Sequence, residues 1–519
     1  MTICTLLSRV SGFGRVLAIA AVLGTGALGD VYQTANMVPN LLFEFVALGV
    51  LQAVLLPAYV EAYRTDGQDG LTGAVRATMG VTVGVLGIVS VIAMVVSPLL
   101  TRLVLLSEPS SVVADAKLDV MVPMVLVFVP QLIFYGLATT VSAGLHAQGR
   151  FVAAALAPMV NNVIVIAACL TFRWMRDGAV ADLDLTVAQF VVIAGGTTLG
   201  VLAFALLPAV SLSSSGVGWS PGRPSGHPAV RQLRANFRSA TLSIVGTFAP
   251  MVAALVLGNG SPGGVAIFFY AFAFFVLPHA LIAVPMATTA APRVALLHQA
   301  GEPNRAAEVV DRAVRLVVPL LALGGAGMVG LAWRVADTMA FGQTATQGLA
   351  PIAHALMAFG PGLLGYGISF ILVRVLYALG DVRNASRLMI ISAAVGVVTM
   401  IGASVVLPVA DRAAALAIGY GAAQTVAAAL LSRRVHRLIG AVAPRPMFGL
   451  VTRAVVTAGG AAVTMMLVTT VFGDRRRESA VAIVVAGLAG SLLFVAVLWN
   501  SLRGEFGPAV DRVRRRLRR

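Results

Sequence analysis

Charge is what this chain has least of. Only 11% of its 519 residues are Asp, Glu, Lys or Arg, and 59% are hydrophobic. A soluble domain is nearer half apolar and roughly a quarter charged, so a soluble fold is excluded. Lysine is almost missing: Lys117 is the only one, and every other basic residue is arginine. Cysteine is nearly absent too. Cys4 and Cys169 stand far apart in the chain, which excludes a CxxC redox motif or a cysteine metal knuckle. No phosphate-binding G-x-x-x-x-G-K-[ST] loop is present, nor HExxH, nor a GxSxG with partners on a soluble domain. The chain therefore reads as no ATPase, metallopeptidase or serine hydrolase, and no cofactor or metal is expected. The first apolar run lacks a small-residue cleavage site followed by a polar mature domain, so it reads as a retained span and not a cleaved signal.

What is present is apolar sequence in long runs. A membrane-crossing helix takes about 20 mostly apolar residues. Fourteen runs qualify: 10–29, 37–60, 77–100, 120–145, 152–172, 187–211, 239–258, 264–292, 313–333, 352–379, 387–408, 413–432, 450–472 and 479–500. The expected fold is an all-α polytopic membrane protein. The longest polar connection, 211–239, is rich in Ser, Gly and Pro and reads as a flexible linker.

The net charge of +16 would suit nucleic acid, but its distribution suits a membrane. With a cytoplasmic N-terminus, 26 of the 37 basic residues fall on the cytoplasmic side and 9 outside; Arg15 and Arg374 fall within spans. Basic residues collect in cytoplasmic loops, so both termini are expected in the cytoplasm and no nucleic acid is implied. The ending DRVRRRLRR (511–519) then lies against anionic lipid.

Arg15 is the residue hardest to place. It ends SRVSGFGR (8–15) and enters the first apolar run. A charge at bilayer depth costs at least ~2.5–3.5 kcal/mol and is kept where it meets a cavity or a partner, unless it snorkels to the head groups. Glu44 is the next charge inside a span, one turn from Asn40. It either pairs with Arg15, carries a proton, or makes a structural contact between spans 1 and 2.

A faint internal repeat divides the chain. Leu145, Ala147 and Gly149 at the exit of span 4 match Leu376, Ala378 and Gly380 at the exit of span 10, at an offset of 231. Pro57 and Pro292 match at an offset of 235. Six spans per half give a parallel repeat about an axis along the membrane normal. The expected division is an N-lobe at 1–211, a cytoplasmic linker at 212–238 and a C-lobe at 239–434. Spans 13 and 14 at 435–500 and a basic cytoplasmic tail at 501–519 lie outside the repeat.

In order and spacing, SRVSGFGR (8–15), GD with NMVPNLL (29–42), LLPAYVEAY (55–63), SAGLHAQGRF with LAP and NN (142–162) and VRVLYALGDVR (373–383) resemble the MurJ/MviN family of lipid II flippases in the MOP exporter superfamily. The resemblance spans nearly the whole chain. It implies two six-helix lobes related by a pseudo-two-fold axis, alternating access, and a cationic cavity for a diphosphate-sugar head group. It also implies a groove for the polyprenyl tail on spans 13 and 14. Peptidoglycan synthesis in the bacterial plasma membrane, with cell-wall synthesis proteins as partners, follows from the same resemblance.

Arg15 looks like the family's cavity arginine on span 1, where a guanidinium would bind phosphate bidentately. The substrate-contact set this suggests is Arg15, Glu44, Asn40, Asn162 and Arg374, with Arg9, Asp30, Pro39 and Arg150 as gate or structural positions. Each has a second reading. Arg374 could snorkel, Asp30 could cap a helix end, and Asn161 and Asn162 could glue helices together. His279 and His354 are either packed neutral rings or pH-sensitive groups. Pro39, Pro57, Pro250, Pro278, Pro285 and Pro361–Gly362 are expected to bend spans 2, 7, 8 and 10.

The sequence departs from the family where charge is expected. Val16 follows Arg15 in place of an acid, Phe43 and Glu44 follow PNLL in place of bases, and Phe272 and Ala273 stand where an acid–arginine pair is carried. Residues 241–258 and 388–406 contain no Asp, Glu or Asn, so no sodium site is expected and the membrane potential or protons would drive transport. A flippase for lipid II is the family default. A flippase for another lipid-linked glycan, a MATE-like exporter of small cations and a non-transporting scaffold for cell-wall synthesis are the alternatives.

Overall fold

The computed structural model describes residues 2–44, 51–177, 179, 181–222, 230–231, 246, 248–339, 342–345, 349–473 and 476–517. Side chains are described for these except 2–3, 5–6, 51–54, 476 and 499–517. Parts of the expected spans 2 and 7 (45–50, 239–245), most of the expected linker (223–229, 232–238) and the last two arginines lie outside this set.

The chain is all-helical among the described residues, because a span in lipid must satisfy its own backbone. In order the helices are α1 (Thr2–Leu23), α2 (Ala27–Phe43), α3 (Leu51–Val104), α4 (Ser111–Phe128), α5 (Gln131–Ala147), α6 (Val152–Met175), α7 (Val187–Phe190) and α8 (Gly196–Ser213). After α9 (Phe248–Gly258) come α10 (Gly264–Gln299), α11 (Pro303–Gly330), α12 (Ala332–Thr338), α13 (Ala350–Phe359) and α14 (Gly362–Ala378). The chain closes with α15 (Val382–Val406), α16 (Arg412–Ile439), α17 (Pro444–Thr469) and α18 (Arg476–Leu517). Among the described residues ten segments are long and apolar enough to cross a membrane, eleven with the bent pair α13–α14. That total is compatible with fourteen spans: parts of the expected spans 2 and 7 fall outside the described residues, and α1, the expected span 1, is not among the eleven.

Two units are compact. One holds 1–248, 255–266 and 341–347; the other holds 249–254, 267–340 and 348–519. In the first, α3, α5 and α8 share a core of Leu55, Tyr59, Val75, Met79, Val141 and Leu212. Val217 and Trp219 join this core. The Gly222 N–H donates to the Arg76 carbonyl at 2.8 Å. The expected flexible linker is therefore packed along 214–222, because Val217 and Trp219 are apolar enough to be drawn onto α3.

Boundaries shift where glycine acts. Span 1 was expected to reach residue 29. Instead the helix stops at Leu23, Gly24 takes φ +69 and α2 starts at Ala27, which places Asp30 in the first turn of a new helix. α3 is two helices joined at Asp66 and Gly67, where Gly67 takes φ +61. Proline acts less than expected. α10 runs unbroken through Pro278, Pro285 and Pro292, whereas α13 and α14 meet at a 45° bend beside Pro361 and Gly362. At that bend Gly362 lies against the backbone of Gly421 on α16 with no room for a Cβ, the close approach small residues permit between membrane helices.

The two matched span exits share their backbone geometry. Gly149 (φ +72) donates to His146 O at 3.0 Å and Arg150 N to Leu145 O at 2.9 Å. Gly380 (φ +77) donates to Tyr377 O at 3.1 Å and Asp381 N to Leu376 O at 2.9 Å. Each bond recurs at the offset of 231, in the glycine-ended motif that satisfies a helix's last carbonyls. Asp381 then departs from its counterpart Arg150 by accepting from Arg434 Nε at 2.5 Å and from Asn384 at 2.6 Å. Burial alone would raise its carboxyl, but these two bonds and the Arg434 charge outweigh burial and hold it below the ordinary value.

In the second unit α17 and α18 pack on α11 and α12, and one arginine secures their turn. Arg334 donates to Thr469 O at 2.7 Å, Phe472 O at 2.8 Å and Gly473 O at 2.9 Å. It also donates to the Ser479 hydroxyl at 3.3 Å, and Ser479 bonds Asp337. Arg334→Met should leave these carbonyls to water. Amide exchange across 466–480 should then rise about tenfold, as loss of roughly 1–2 kcal/mol of local stability requires. Unchanged exchange there would show that packing alone holds the hairpin.

Candidate functional site

The first unit holds Arg15, Asn40, Glu44 and Asn162, and among the described residues none of them pairs with another. Arg15, on the fourth turn of α1, is half-buried. Among the described residues no carboxylate pairs with it. The pairing with Glu44 is not formed: Glu44, half-buried at the end of α2, has no ion-pair partner among the described residues either.

A turn of π-helix at Val191–Gly195 rotates two neighbouring threonines toward different helices. Thr197 spends its proton on Ile193 O at 2.7 Å, so Tyr32, 2.9 Å away, is the donor to Thr197. Thr198 donates to Val127 O at 2.9 Å and accepts from Gln131 at 2.9 Å. Such bulges often mark functional sites. Beside them Tyr135 rests on Phe43 (centroids 5.3 Å apart) and Phe204 (6.2 Å).

Two proposed contacts are committed elsewhere. Asn162 donates to Ser11 Oγ at 3.1 Å and Ser8 O at 3.4 Å, joining α6 to α1; Asn40 donates to Asn36 O at 2.6 Å within its own helix. Asn162→Ala should cost about 1 kcal/mol of stability, the scale of such membrane hydrogen bonds, and leave transport near wild type. Transport lost at unchanged stability would instead return Asn162 to the substrate set.

Asp30 is a helix-end acceptor. Fully buried, it takes Gly263 N at 2.8 Å, Val265 N at 3.1 Å and Ala266 N at 2.9 Å, the free donors at the start of α10. Gly263 adopts φ +75, and a Cβ there would overlap the Thr25 carbonyl. Lys117, counted among the basic residues of the outer side, is 2% exposed; it bonds Glu108 at 2.7 Å and lies 3.9 Å from Asp30. A lone lysine in an arginine-rich chain was the signal that could have marked it. Arg9 and Arg150 are exposed, and Pro39 is buried within α2.

In the second unit Arg374 lies 3.5 Å above the Phe370 ring, one turn back along α14 and away from that helix's C-terminal end. This is not the posture of a residue snorkelling past that end. Phe370 meets His279 edge-on at 4.5 Å, and His279 stacks on Tyr366 at 4.0 Å. His279 is thus a packed ring. Phe272 packs on Phe268, Phe275, Phe359 and Tyr420. His354 Nδ1 lies 2.6 Å from Asp411 Oδ1, beside Trp333.

Comparison with known proteins agrees with this architecture. The family model described as "Lipid II flippase MurJ" matches residues 19–486, a range that begins after SRVSGFGR. The probable lipid II flippase MurJ of Rhizobium tropici is 27% identical over 75% of this chain and 72% of its own. A solved MurJ, in an inward closed conformation, is 15% identical, covers 96% of this chain and 99% of its own, and superposes with a TM-score of 0.71. A multidrug resistance MATE family transporter in an inward-facing conformation is 14% identical over 83% of this chain and 95% of its own, with a TM-score of 0.62. These two structures share the fold. The family match covers most of the chain, and the protein belongs to the lipid II flippase MurJ family of multi-pass bacterial membrane transporters.

Proposed function

We propose that this protein moves a polyprenyl-diphosphate-linked cell-wall precursor, lipid II by family default, from the cytoplasmic to the outer leaflet of the bacterial inner membrane by alternating access. The observation that carries this reading is Arg15. It is a half-buried guanidinium with no carboxylate partner among the described residues, on the first helix of the expected N-lobe. A diphosphate crossing hydrocarbon needs cations in place of water, and arginine supplies two parallel donors while staying charged. Both termini lie in the cytoplasm, as the basic residues require. α17 and α18 hold the prenyl tail, and the C-terminal arginines rest on anionic lipid.

A second reading has its own support. Phe43 packs on Tyr135, and Phe272 sits among rings, at two places where the family carries charge. This favours a flippase for a different lipid-linked glycan. The test is lipid II exposure on the outer face of cells depleted of their own flippase and supplied with this protein. Restored exposure supports lipid II. Correct insertion without exposure assigns another head group.

A further inference from the structure

Helix α6 shows two different faces. Asn162, Val165, Cys169 and Phe172 are buried, where the helix packs on α1 and α8. Leu170, Arg173, Trp174 and Asp177 follow the i, i+3, i+4, i+7 spacing of one other face. The helix ends at Met175, and Asp177 turns its end at φ +46, its N–H donating to Trp174 O at 3.3 Å. Together the four line a cavity of about 400 Å³, within the ~300–1,000 Å³ of small-ligand sites. Its two charges are uncommitted. The neighbouring Arg176 is occupied, bonding Asp182 at 2.8 Å and Asp184 O at 3.1 Å. Arg173 and Asp177 line the same cavity, yet among the described residues they form no ion pair with each other or elsewhere. A Cβ on Gly342 would stand 2.9 Å from the Arg173 guanidinium, so the 342–345 turn bounds that side chain on one side. Trp174 is 77% exposed and Leu170 57%, on a helix long and apolar enough to cross the membrane.

We infer that this cavity binds the head group of a phosphatidylethanolamine molecule of the surrounding bilayer, its phosphate on Arg173 and its ammonium on Asp177. The charges match one to one: a guanidinium for the phosphate and a carboxylate for the primary ammonium. An anionic phospholipid satisfies Arg173 and is repelled by Asp177. A choline head group has no N–H to give the carboxylate. The depth matches as well. Arg173, Arg176 and Asp177 put the end of α6 at the water edge, and Trp174 beside them is the residue that membrane helices place at head-group level. Deeper along the helix, Leu170 and Val163, 57% and 50% exposed, continue an apolar stripe on which an acyl chain can lie.

The test titrates delipidated full-length protein in detergent with phosphatidylethanolamine, phosphatidylglycerol or phosphatidylcholine of equal chain length, and native mass spectrometry reads the affinity for the first lipid retained. Wild type should prefer phosphatidylethanolamine. Asp177→Asn should lower its affinity for that lipid about threefold, the scale of an exposed charge pair, and leave phosphatidylglycerol unweakened. Arg173→Gln should weaken both lipids about threefold, since both carry the phosphate. Arg102→Gln, an exposed arginine on α3, should change neither. All three are surface substitutions, so melting temperatures should match wild type. Equal wild-type affinity for the three lipids overturns the inference, as does an Asp177→Asn that still prefers phosphatidylethanolamine as wild type does. A loss in Arg102→Gln equal to that in Arg173→Gln also overturns it, because general surface charge would then explain retention. Displacement of the lipid by soluble phosphoethanolamine at equal concentration would overturn the assignment to a lipid. The readout is binding at this face alone, so its outcome is independent of what the protein transports.

Discussion

Arg15→Ala is expected to lower outward movement of the lipid-linked precursor by about a hundredfold or more while leaving the protein inserted and folded. A bidentate, charge-assisted pair of bonds to a diphosphate exceeds ~2.7 kcal/mol in a site shielded from water, and that figure is two factors of ten in rate or affinity. The claim that folding survives is the part that makes the result informative. Breaking a buried ion pair is destabilising because it strands the other charge. Among the described residues no carboxylate pairs with Arg15, so its removal strands nothing and relieves the cost of keeping a charge at bilayer depth. Arg15→Lys should fall between the two, since it keeps the charge and loses the planar fork. The measurement is outer-leaflet exposure in flippase-depleted cells beside the melting temperature of the purified protein. Wild-type transport by Arg15→Ala would remove the phosphate clamp and favour an exporter of small cations, for which the MATE-like fold is already in place.

Asp30→Ala should have the largest effect on stability, about 3–5 kcal/mol, the scale of removing one member of a buried charged network. Three backbone donors at the start of α10 would lose their acceptor at once. The carboxylate that faces the helix N-terminus would go with them. Lys117 would keep Glu108 at 2.7 Å, so the loss belongs to the helix end more than to the ion pair. Asp30→Asn retains one side-chain oxygen and should cost less. Thermal unfolding in detergent, with the yield of folded protein, checks the order wild type, Asn, Ala. If Asp30→Ala melts with wild type yet fails to transport, the residue is a gate and the capping account is wrong.

The class of fold was legible because lipid writes a simple rule into sequence. Runs of apolar residues such as 387–408 and 479–500 are read directly as helices. The two glycine-ended exits were legible for a related reason: Gly149 and Gly380 are required by left-handed turns that close a helix, and only glycine takes them at no steric cost. The family resemblance was legible as ordered motifs, and the comparisons agree with it.

Site chemistry was legible only in part. Arg15 drew attention by its cost alone. Asn162 and Asn40 drew attention for the same reason, and the structure spends their amides on Ser8, Ser11 and Asn36. Polar identity in an apolar helix shows that a group needs a partner, and not whether that partner is protein or ligand.

By itself the sequence determined that the chain is helical and membrane-spanning. That is a consequence of solvent transfer, which acts locally. Only the tertiary structure decided that Asp30 caps α10, that Lys117 is buried and that Phe272 packs among rings. Each of these depends on which hydrogen-bond partners long-range packing brings within three ångströms, and no local pattern encodes that choice.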